Sequence, residues 1–214
     1  MSQKKLRKGI IRTVQKFNAT ALSMGTSGNV SARTKDGFLI TPTGIAYNEM
    51  HEEDIVFVDF EGSTDPSRAT PSSEWRIHRD IYHSRPEIKA VVHVHSHYAT
   101  AIACTRQEIP AFHYEVALAG GDTIRCADYA TFGTQALSDN IAIALKDRTA
   151  CLIANHGQVA LGHTIKQAFL LAQTVEVLAK QYTLSKHLGG PVLLSEEEMK
   201  INLEKFKHYG VKGK

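Results

Sequence analysis

Three histidines occupy alternate positions in the segment AVVHVHSHYATAIA, residues 90–103. The β-branched residues that precede and separate them favour a strand, on which side chains alternate between faces, so His93, His95 and His97 are expected on one face. At about 3.3 Å per residue, His93 and His95 lie about 6.6 Å apart along the strand, and His93 and His97 about 13 Å apart. One metal ion can therefore take two adjacent histidines but not all three. The competing interpretation is a structural strand end with hydrogen-bonded imidazoles.

Two further residues could complete a metal site. His156 stands in ANHGQVALG, where an apolar strand ends and a glycine allows a sharp turn. Glu74 is expected in the first turn of a helix, whose positive end favours the ionised carboxylate that ligation or general-base chemistry requires. Taken singly, each is typical of a structural residue. Together, three histidines and a carboxylate suit zinc or another borderline divalent ion, and such a site becomes catalytic when one ligand gives way to substrate.

Three short segments have the composition of phosphate-binding loops. TSGNVS (26–31), TPTG (41–44) and PSS (71–73) combine small side chains, hydroxyls and approachable backbone N–H groups. A capped helix start binds anions through its unpaired N–H groups and dipole, and a glycine lets an anion reach the backbone. Each segment alone is more typical of a turn or a cap. None of them needs a lysine or arginine to bind phosphate.

Composition narrows the class of protein. A chain of 214 residues, 43% of them hydrophobic, is long enough for one sizeable core, and we expect a single domain over residues 1–214. With 25 basic and 22 acidic side chains, the net charge of +3 is too small to indicate a nucleic-acid or membrane surface. No apolar signal segment or membrane-spanning run is apparent, which predicts a cytoplasmic protein. Cys104, Cys126 and Cys151 are predicted to be reduced core residues.

Helical and strand patterns alternate along the chain and predict the elements that must position these residues. Apolar residues at intervals of three and four, from Leu6 to Ala21, predict a first helix that ends near Gly25. A KDG turn then joins two strands into a hairpin. We therefore expect an α/β fold, a layered α/β/α single domain with a central mixed, mainly antiparallel sheet. The other predicted elements are strands at 55–60, 90–95, 123–127, 150–155 and 158–162, and helices at 71–84, 98–106, 133–146 and from residues 164 and 195.

Eight segments give the chain a resemblance to a known family. GTSGNVSAR, LITPTGIAY, PSSEWRIH, AVVHVH, CADYATFGT, NHG, VEVLA and LEKFKHYG occur in the order and at the spacing of the class II aldolase/adducin family, and they cover nearly the whole chain. The chain most resembles the family's ketose-1-phosphate aldolases. The resemblance implies a metal site of His93, His95 and His156, with Glu74 as the carboxylate. It also implies one zinc ion per chain, or another divalent transition metal in its place, and leaves His97 at most to line the pocket.

The resemblance also implies a reaction. Zinc would chelate the C2 carbonyl and C3 hydroxyl of L-fuculose 1-phosphate or a related deoxy-ketose 1-phosphate, and cleavage of C3–C4 would give dihydroxyacetone phosphate and a small aldehyde such as L-lactaldehyde. Glu74 would move the proton at C3, and Tyr114 would face the aldehyde oxygen. Tyr209 would close the site of a neighbouring subunit in a homotetramer with sites at its subunit interfaces. The residues implied for phosphate binding are Thr26, Gly28, Asn29, Thr43, Gly44, Ser72 and Ser73.

Other members of the family leave alternatives open. They epimerise pentulose 5-phosphates, dehydrate methylthioribulose 1-phosphate, decarboxylate keto-acid phosphates or, in adducin, act as non-catalytic cytoskeletal heads. The four candidate ligands disfavour an adducin-like binding module. Tyr114 disfavours the dehydratase, unless the alignment shifts to Glu115. Asp122 resembles an acid/base of the 4-epimerases, although those enzymes have aspartate where Glu74 stands. Among the aldolases, rhamnulose-like, 5-deoxyribulose and methylthioribulose 1-phosphates are further candidate substrates.

Overall fold

One seven-stranded sheet lies at the centre of the molecule, for which a computed structural model describes residues 2–208. The strands are β1 (Asn29–Arg33), β2 (Gly37–Ile40), β3 (Val56–Asp59), β4 (Ala90–Val94), β5 (Cys126–Ala127), β6 (Ala150–Ile153) and β7 (Gly157–Gly162). Their spatial order is β3-β2-β1-β4-β7-β6-β5. Every neighbouring pair is antiparallel except β5 and β6, which are parallel. The prediction of a mixed, mainly antiparallel sheet is therefore confirmed.

Helices cover both faces of the sheet, as the layered α/β/α prediction requires. Their apolar faces form two separate clusters of buried residues, one with α1, α3 and α5 and the other with α2 and α4. No helix within residues 2–208 is long and apolar enough to cross a membrane. The helices are α1 (Gln3–Val14), α2 (Trp75–Ser84), α3 (His97–Cys104), α4 (Gln135–Ala144), α5 (Ile165–His187) and α6 (Glu196–His208).

Alternation along the central strand divides its side chains between the two layers. On β4, Val92 packs against the α1, α3 and α5 layer, whereas Val91 packs against α2 and α4. His93 has the same parity as Val91 and so lies on the α2 face. In the β-sheet register, His93 is opposite Asn29 of β1 on one side and Val159 of β7 on the other. The face of the sheet beneath α2 therefore carries polar as well as apolar side chains.

The first helix is shorter than its apolar pattern predicts. It ends at Val14 and not near Gly25, and the chain continues through successive turns. Phe17 and Leu22 are still fully buried, because the turns bring them back to the core and so preserve the apolar spacing without a helix. Ala21 has a φ of 54°, in the left-handed region, through which a right-handed helix cannot continue.

The strand predicted at 123–127 is also shorter, with only its last two residues in β5. Ile124 instead forms an isolated bridge with Ile109, in which each backbone N–H donates to the other residue's carbonyl at 2.9–3.0 Å. The segment is thus divided between two partners: both backbone groups of Ile124 bond to Ile109, whereas the Arg125 carbonyl accepts from Leu152 N–H of β6 at 2.8 Å.

The cysteines are reduced, but they are not all core residues. All three are free thiols, with Cys151 buried and Cys126 half-buried. Cys104 is exposed, which corrects its predicted burial. It is the last residue of α3, whose buried face is formed by Ala99, Ile102 and Ala103. An apolar neighbourhood in the sequence of a helix does not place each of its residues on the buried face.

Candidate metal centre

Four predicted ligands converge at the C-terminal end of the central strand β4. His93 Nε2 lies 2.9 Å from His95 Nε2 and 3.2 Å from Glu74 Oε2. His156 Nε2 lies 3.3 Å from Glu74 Oε1. One ligand atom from each of the four residues lies within 4.8 Å of all the others. The structure thus brings together residues that are separated by up to 82 positions in the chain, the distance from 74 to 156.

Strand topology explains this convergence. His93 belongs to β4, and His95 follows immediately after the strand ends. β7 is antiparallel to both β4 and β6, so the turn between β6 and β7 lies beside the end of β4 and carries His156 there. A Cβ on Gly157 would lie 2.4 Å from the carbonyl oxygen of Val94, so only glycine permits this close approach.

Glu74 comes from the helix layer above the sheet. It is the N-cap residue of α2 and not part of its first turn, and its carboxylate is 6% exposed. The predicted serine cap is wrong, because no side chain caps the N-terminus of this helix. The backbone N–H of Glu74 instead donates to Ser72 Oγ at 3.3 Å, in a turn that precedes α2. This turn sets the point at which the chain enters α2, and the Glu74 side chain extends from that point toward the histidines.

The backbone orients His93 from behind. Its Nδ1 donates to the carbonyl oxygen of Gln158 at 2.9 Å, and because a carbonyl can only accept, the hydrogen belongs on Nδ1 and the Nε2 lone pair faces the cluster. Gln158 is fully buried. Its side-chain amide nitrogen donates to Ser96 Oγ at 2.7 Å and to the Ala172 carbonyl at 3.1 Å. The orientation of His93 is therefore set by the backbone of Gln158, a residue that does not line the cavity.

The arrangement of donor atoms fits a divalent cation. Burial, together with His93 and His156, lowers the pKa of His95 to about 3, so His95 is neutral and its lone pair can bind a metal. Glu74 Oε1 is buried without a hydrogen-bond donor among the described residues. Neutral imidazole and carboxylate lone pairs that converge in this way are stabilised when a cation lies between them. Ligands held about 2 Å from a tetrahedral zinc ion are about 3.3 Å apart, close to the separations of 2.9–3.3 Å found here.

The electrostatics of the cluster favour the protonation states that a metal requires at Glu74, His95 and His156, but not at His93. Burial raises the pKa of Glu74, but His93, His156 and a hydrogen bond from Asn29 outweigh burial and hold that pKa below its usual range. Burial and His93 lower the pKa of His156 to about 4. Burial also lowers the pKa of His93, but the Glu74 carboxylate outweighs it and raises that pKa. At neutral pH, Glu74 is thus ionised, and His95 and His156 are neutral.

A cavity of about 340 Å³ opens in front of the cluster and contains most of the predicted phosphate-binding residues. Glu74, His95 and His156 line it, whereas His93 lies behind them and is fully buried. Gly44 does not line the cavity; it is exposed and turns the chain with a φ of 73°. The predicted phosphate-binding residues that do line the cavity are Thr26, Gly28, Asn29, Thr43, Ser72 and Ser73.

Backbone pairing holds two of the phosphate-type segments together. Pro42 and Pro71 form an isolated antiparallel bridge. On either side of it, Thr43 N–H donates to the Thr70 carbonyl and Ser72 N–H donates to the Thr41 carbonyl, both at 3.0 Å. The loops at 41–44 and 71–73 therefore form one wall of the cavity.

Tyr47 supports the third phosphate-type segment and was not predicted from the sequence. Its buried hydroxyl accepts from Gly28 N–H at 2.7 Å and donates to the Gly28 carbonyl at 2.9 Å. A Cβ on Gly28 would lie 2.8 Å from the carbonyl oxygen of His93, so the loop packs directly on the metal-site strand. The position of Tyr47 at the end of LITPTGIAY is the sequence signal that could have identified it.

Three other cavity residues were also absent from the predicted site. Tyr129 and Phe132 line the cavity and are 53% and 66% exposed, so they present an apolar surface at its mouth. Asn155 lines it beside His156 and has a φ of 55°, which asparagine tolerates in a tight turn. All three belong to the segments CADYATFGT and NHG, which the sequence comparison with the family had already singled out.

Several residues considered from the sequence lie away from this cavity. Tyr114 is 47% exposed, and its ring stacks on Phe206 at a centroid distance of 6.0 Å. Asp122 forms an ion pair with Arg148 at 2.7 Å. His97 is not one of the four clustered ligands, as predicted, but its predicted place on the strand is wrong: β4 ends at Val94, and His97 is exposed on the first turn of α3. Tyr209 lies outside the described residues.

A larger cavity, of about 730 Å³, lies at the opposite end of β1 and β4. Its lining includes Arg33 at the end of β1, Lys89 before β4 and Thr164 before α5. None of the four clustered ligands lines this cavity, so its size does not make it the candidate active site.

Comparison with known proteins places this site in a family. The family model for the class II aldolase and adducin N-terminal domain matches residues 8–183. The L-fuculose phosphate aldolase of Escherichia coli strain K12 is 47% identical over 213 residues, which cover 99% of each chain. A 5-methylthioribulose-1-phosphate/5-deoxyribulose-1-phosphate aldolase of Rhodospirillum rubrum is 48% identical over 205 residues, covering 96% of this chain and 92% of the relative.

Solved structures agree with the sequence comparisons. The structure of an L-fuculose 1-phosphate aldolase matches with a TM-score of 0.93 and 42% identity, covering 97% of this chain and 98% of the other. Family model, full-length relatives and fold all point to the same group of proteins, and the candidate metal centre has the chemistry of that group. The chain belongs to the class II aldolase and adducin family, and within it to the aldolases, which are carbon–carbon lyases.

Proposed function

We propose that the protein cleaves the C3–C4 bond of a short deoxy-ketose 1-phosphate, with L-fuculose 1-phosphate as the first candidate, to dihydroxyacetone phosphate and a small aldehyde. The observation that supports this most is the meeting of one carboxylate and three imidazoles at a cavity whose walls are phosphate-type loops. We further propose one zinc ion per chain, held by His93, His95 and His156, with Glu74 as the fourth ligand. A bound divalent cation supplies Lewis-acid stabilisation of the negative charge that develops on the ketose oxygens during cleavage.

The loops of the cavity bind the phosphate in this proposal. The hydroxyls of Thr26, Thr43 and Ser73 belong to exposed residues of the lining, and Gly28 brings backbone close to the ligand. The described lining contains no lysine or arginine, so hydroxyl and N–H donors, including those at the start of α2, carry the recognition. This arrangement anchors C1 of the ketose at a fixed distance from the metal ligands.

Glu74 carries the proton transfer. Its carboxylate lies at the boundary between the metal cluster and the cavity, is ionised at neutral pH, and has one oxygen without a hydrogen-bond donor. His93, His95 and His156 would hold the cation while substrate occupies the site, and Glu74 would carry the proton that C3 gains when the C3–C4 bond breaks.

The substrates of the relatives differ in the part beyond C3, at the end of the ketose opposite the phosphate. L-fuculose 1-phosphate and 5-deoxyribulose or methylthioribulose 1-phosphate share the phosphate, C2 and C3 groups, and they differ in the aldehyde that is released. Relatives at 47% and 48% identity act on these two classes. Tyr129 and Phe132 at the cavity mouth give an apolar environment that suits a terminal methyl or thioether group.

A substrate panel tests the proposed function. The zinc-loaded protein is expected to release dihydroxyacetone phosphate from L-fuculose 1-phosphate, 5-deoxyribulose 1-phosphate or methylthioribulose 1-phosphate, as measured by coupled reduction with glycerol-3-phosphate dehydrogenase. The preferred substrate is the one with the highest kcat/KM. Absence of dihydroxyacetone phosphate from every ketose 1-phosphate would overturn the proposal.

Pentulose-5-phosphate 4-epimerase is the alternative that the same panel addresses. Asp122, the residue that motivated it, is tied to Arg148 and does not line the cavity of its own chain. Epimerisation of L-ribulose 5-phosphate by the zinc-loaded protein, without aldol cleavage, would favour this alternative.

We also propose that Tyr114 and Tyr209 act in the site of a neighbouring subunit of a homotetramer. Tyr114 lies on the surface, away from the cavity of its own chain, and packs on Phe206 of the C-terminal helix α6. This contact places the end of α6, at His208, on the same surface as Tyr114. A second chain could reach this surface, because residues 2–208 leave the Tyr114 side chain 47% exposed.

Removal of the tail tests the shared site. A chain that ends at His208 keeps the Tyr114–Phe206 contact, and we expect it to retain fold and zinc while its cleavage rate falls on the order of 10²-fold, the effect of losing a positioned acid or base. Reassembly of this truncated chain with full-length His95→Ala chains should restore activity, because an intact tail then reaches an intact metal site. The control mixes the truncated chain with a truncated His95→Ala chain. Verified mixed oligomers without recovered activity would contradict the shared site.

The remaining parts of the proposal concern the extent and location of the protein. We infer that residues 1–214 form one domain and that it acts in the cytoplasm as a small-molecule enzyme without nucleic-acid or membrane partners. One continuous sheet and the three free thiols support this inference.

A further inference from the structure

A row of buried polar side chains runs inward from the metal centre, between β1 and α2. Asn29 connects to His78, His78 to Ser31, and Ser31 to Tyr82. The three contacts measure 2.6, 2.6 and 2.7 Å. All four residues are at most 3% exposed. Burial of polar groups costs free energy unless they are hydrogen-bonded, so the hydrogen bonds within the row must offset the desolvation of these four side chains.

The end of the row at the metal centre determines how the amide of Asn29 is oriented. Its Nδ2 group lies 3.0 Å from Glu74 Oε2 and 3.1 Å from Ser72 Oγ. With the amide reversed, Oδ1 would face the ionised carboxylate of Glu74, and acceptor would meet acceptor. Nδ2 therefore faces the site as a donor of two hydrogen bonds, and Oδ1 faces inward to His78 Nε2.

The orientation of Asn29 in turn fixes the tautomer of His78. Because Oδ1 only accepts, His78 Nε2 must carry a hydrogen. Burial lowers the pKa of His78 to about 3, so the ring is neutral and Nδ1 is a lone pair. Ser31 donates to that lone pair, and the Tyr82 hydroxyl donates to Ser31. Every hydrogen bond of the row then points toward the metal centre.

We propose that His78 is a positioning residue, which holds the amide of Asn29 with both of its N–H donors toward Glu74 and Ser72. His78 does not line the cavity, and its hydrogen bonds are to Asn29 and Ser31, so it reaches the site through Asn29. Ser31 donates to His78 Nδ1 and accepts from the Tyr82 hydroxyl, so these two residues stabilise the tautomer of His78 with its hydrogen on Nε2. The inference deepens the proposed function, because Glu74 carries the proton transfer there and Ser72 belongs to the phosphate-binding wall.

Two substitutions of similar size separate this role from simple filling of space. Glutamine places an amide nitrogen close to the position of the imidazole Nε2, so His78→Gln retains a donor for Asn29. His78→Met fills a similar volume with no donor. We expect kcat to fall about 10-fold to 100-fold in His78→Met, the usual effect of removing a supporting partner of a metal site, and several-fold less in His78→Gln. Zinc content should equal that of the unaltered chain in both variants.

The side-chain amide of Asn29 provides a readout that does not depend on catalysis. The two ¹⁵N-bound protons of this amide are assigned by the loss of their signals in Asn29→Asp. We expect their chemical shifts to be the same in the unaltered protein and in His78→Gln, and we expect the signals to shift or broaden in His78→Met. Should His78→Met fail to fold, Ser31→Ala removes the donor to Nδ1 and is expected to produce the same amide change, with a smaller loss of kcat.

Equal kcat in His78→Met and His78→Gln, with an unchanged Asn29 amide, would overturn the positioning role. A protein that cleaves no ketose 1-phosphate would instead refute the proposed function. The amide experiment would then still decide whether His78 orients Asn29, so the two failures are distinguishable.

Discussion

Replacement of His95 by alanine is expected to remove both the bound divalent cation and the aldol cleavage. His95 supplies an imidazole whose Nε2 lies 2.9 Å from that of His93, and of these two histidines only His95 lines the cavity. Without it, two histidines and one carboxylate remain, and a three-residue site that must also release the carboxylate to substrate no longer holds zinc firmly. Elemental analysis of purified protein should fall from about one zinc per chain to near zero.

The matched control is His97→Ala. His97 is two residues further along, is exposed, and does not belong to the cluster of four ligands. Zinc content and kcat should therefore stay near those of the unaltered protein. Full zinc occupancy in His95→Ala would contradict the ligand assignment, and so would loss of zinc in His97→Ala alone.

Glu74→Gln is expected to keep the cation and lose most of the turnover. Glutamine has the shape of glutamate, and its side-chain oxygen can still accept from Asn29 Nδ2, now 3.0 Å from Glu74 Oε2. The three histidines still bind the metal, but an amide cannot carry the proton that C3 gains in the cleavage. We expect kcat for ketose 1-phosphate cleavage to fall on the order of 10²-fold or more, as for other positioned bases.

The measurement combines steady-state kinetics with zinc analysis of the same preparation. Glu61→Gln, a change of the same chemistry at an exposed position, is the control and should be indistinguishable from the unaltered protein. A Glu74→Gln variant with full zinc and unimpaired kcat would remove Glu74 from proton transfer. Loss of zinc together with activity would show instead that its main role is ligation.

Local patterns in the sequence determined much of this protein. β-branched residues placed His93 on a strand, because strand geometry depends on neighbouring residues. The same reasoning extended that strand to His97, which instead begins α3. Serines marked the turn into α2, although the helix itself begins at Trp75 with Glu74 and not a serine as its N-cap. Alternation of helices and strands gave the layered class with its mixed sheet. These features follow from short-range sterics and hydrogen bonding, which a few adjacent residues specify.

The same local patterns misled where the chain folds back on the core. Phe17 continues the apolar spacing of α1 and is fully buried, but it lies in a turn. The spacing therefore predicted its burial correctly and its helical structure wrongly. Cys104 has apolar neighbours in sequence but ends α3 on its exposed side. In both cases the apolar pattern correctly indicated a nearby core. Which residues form a helix, and which face of it is buried, depends on the elements that pack against the segment.

Only the tertiary structure decided which residues meet. Antiparallel pairing of β7 with β4 and β6 brings His156 to His95, and the entry of α2 places Glu74 above them. Asn29 and Ser31 share one face of β1, and His78 and Tyr82 share one face of α2, but only the packing of α2 against β1 joins the two pairs into a row. Likewise, Tyr114 proves to lie on the surface beside α6 and not in the cavity of its own chain. Such contacts join residues tens of positions apart, so they depend on strand order and layer packing, which no local stretch of sequence contains.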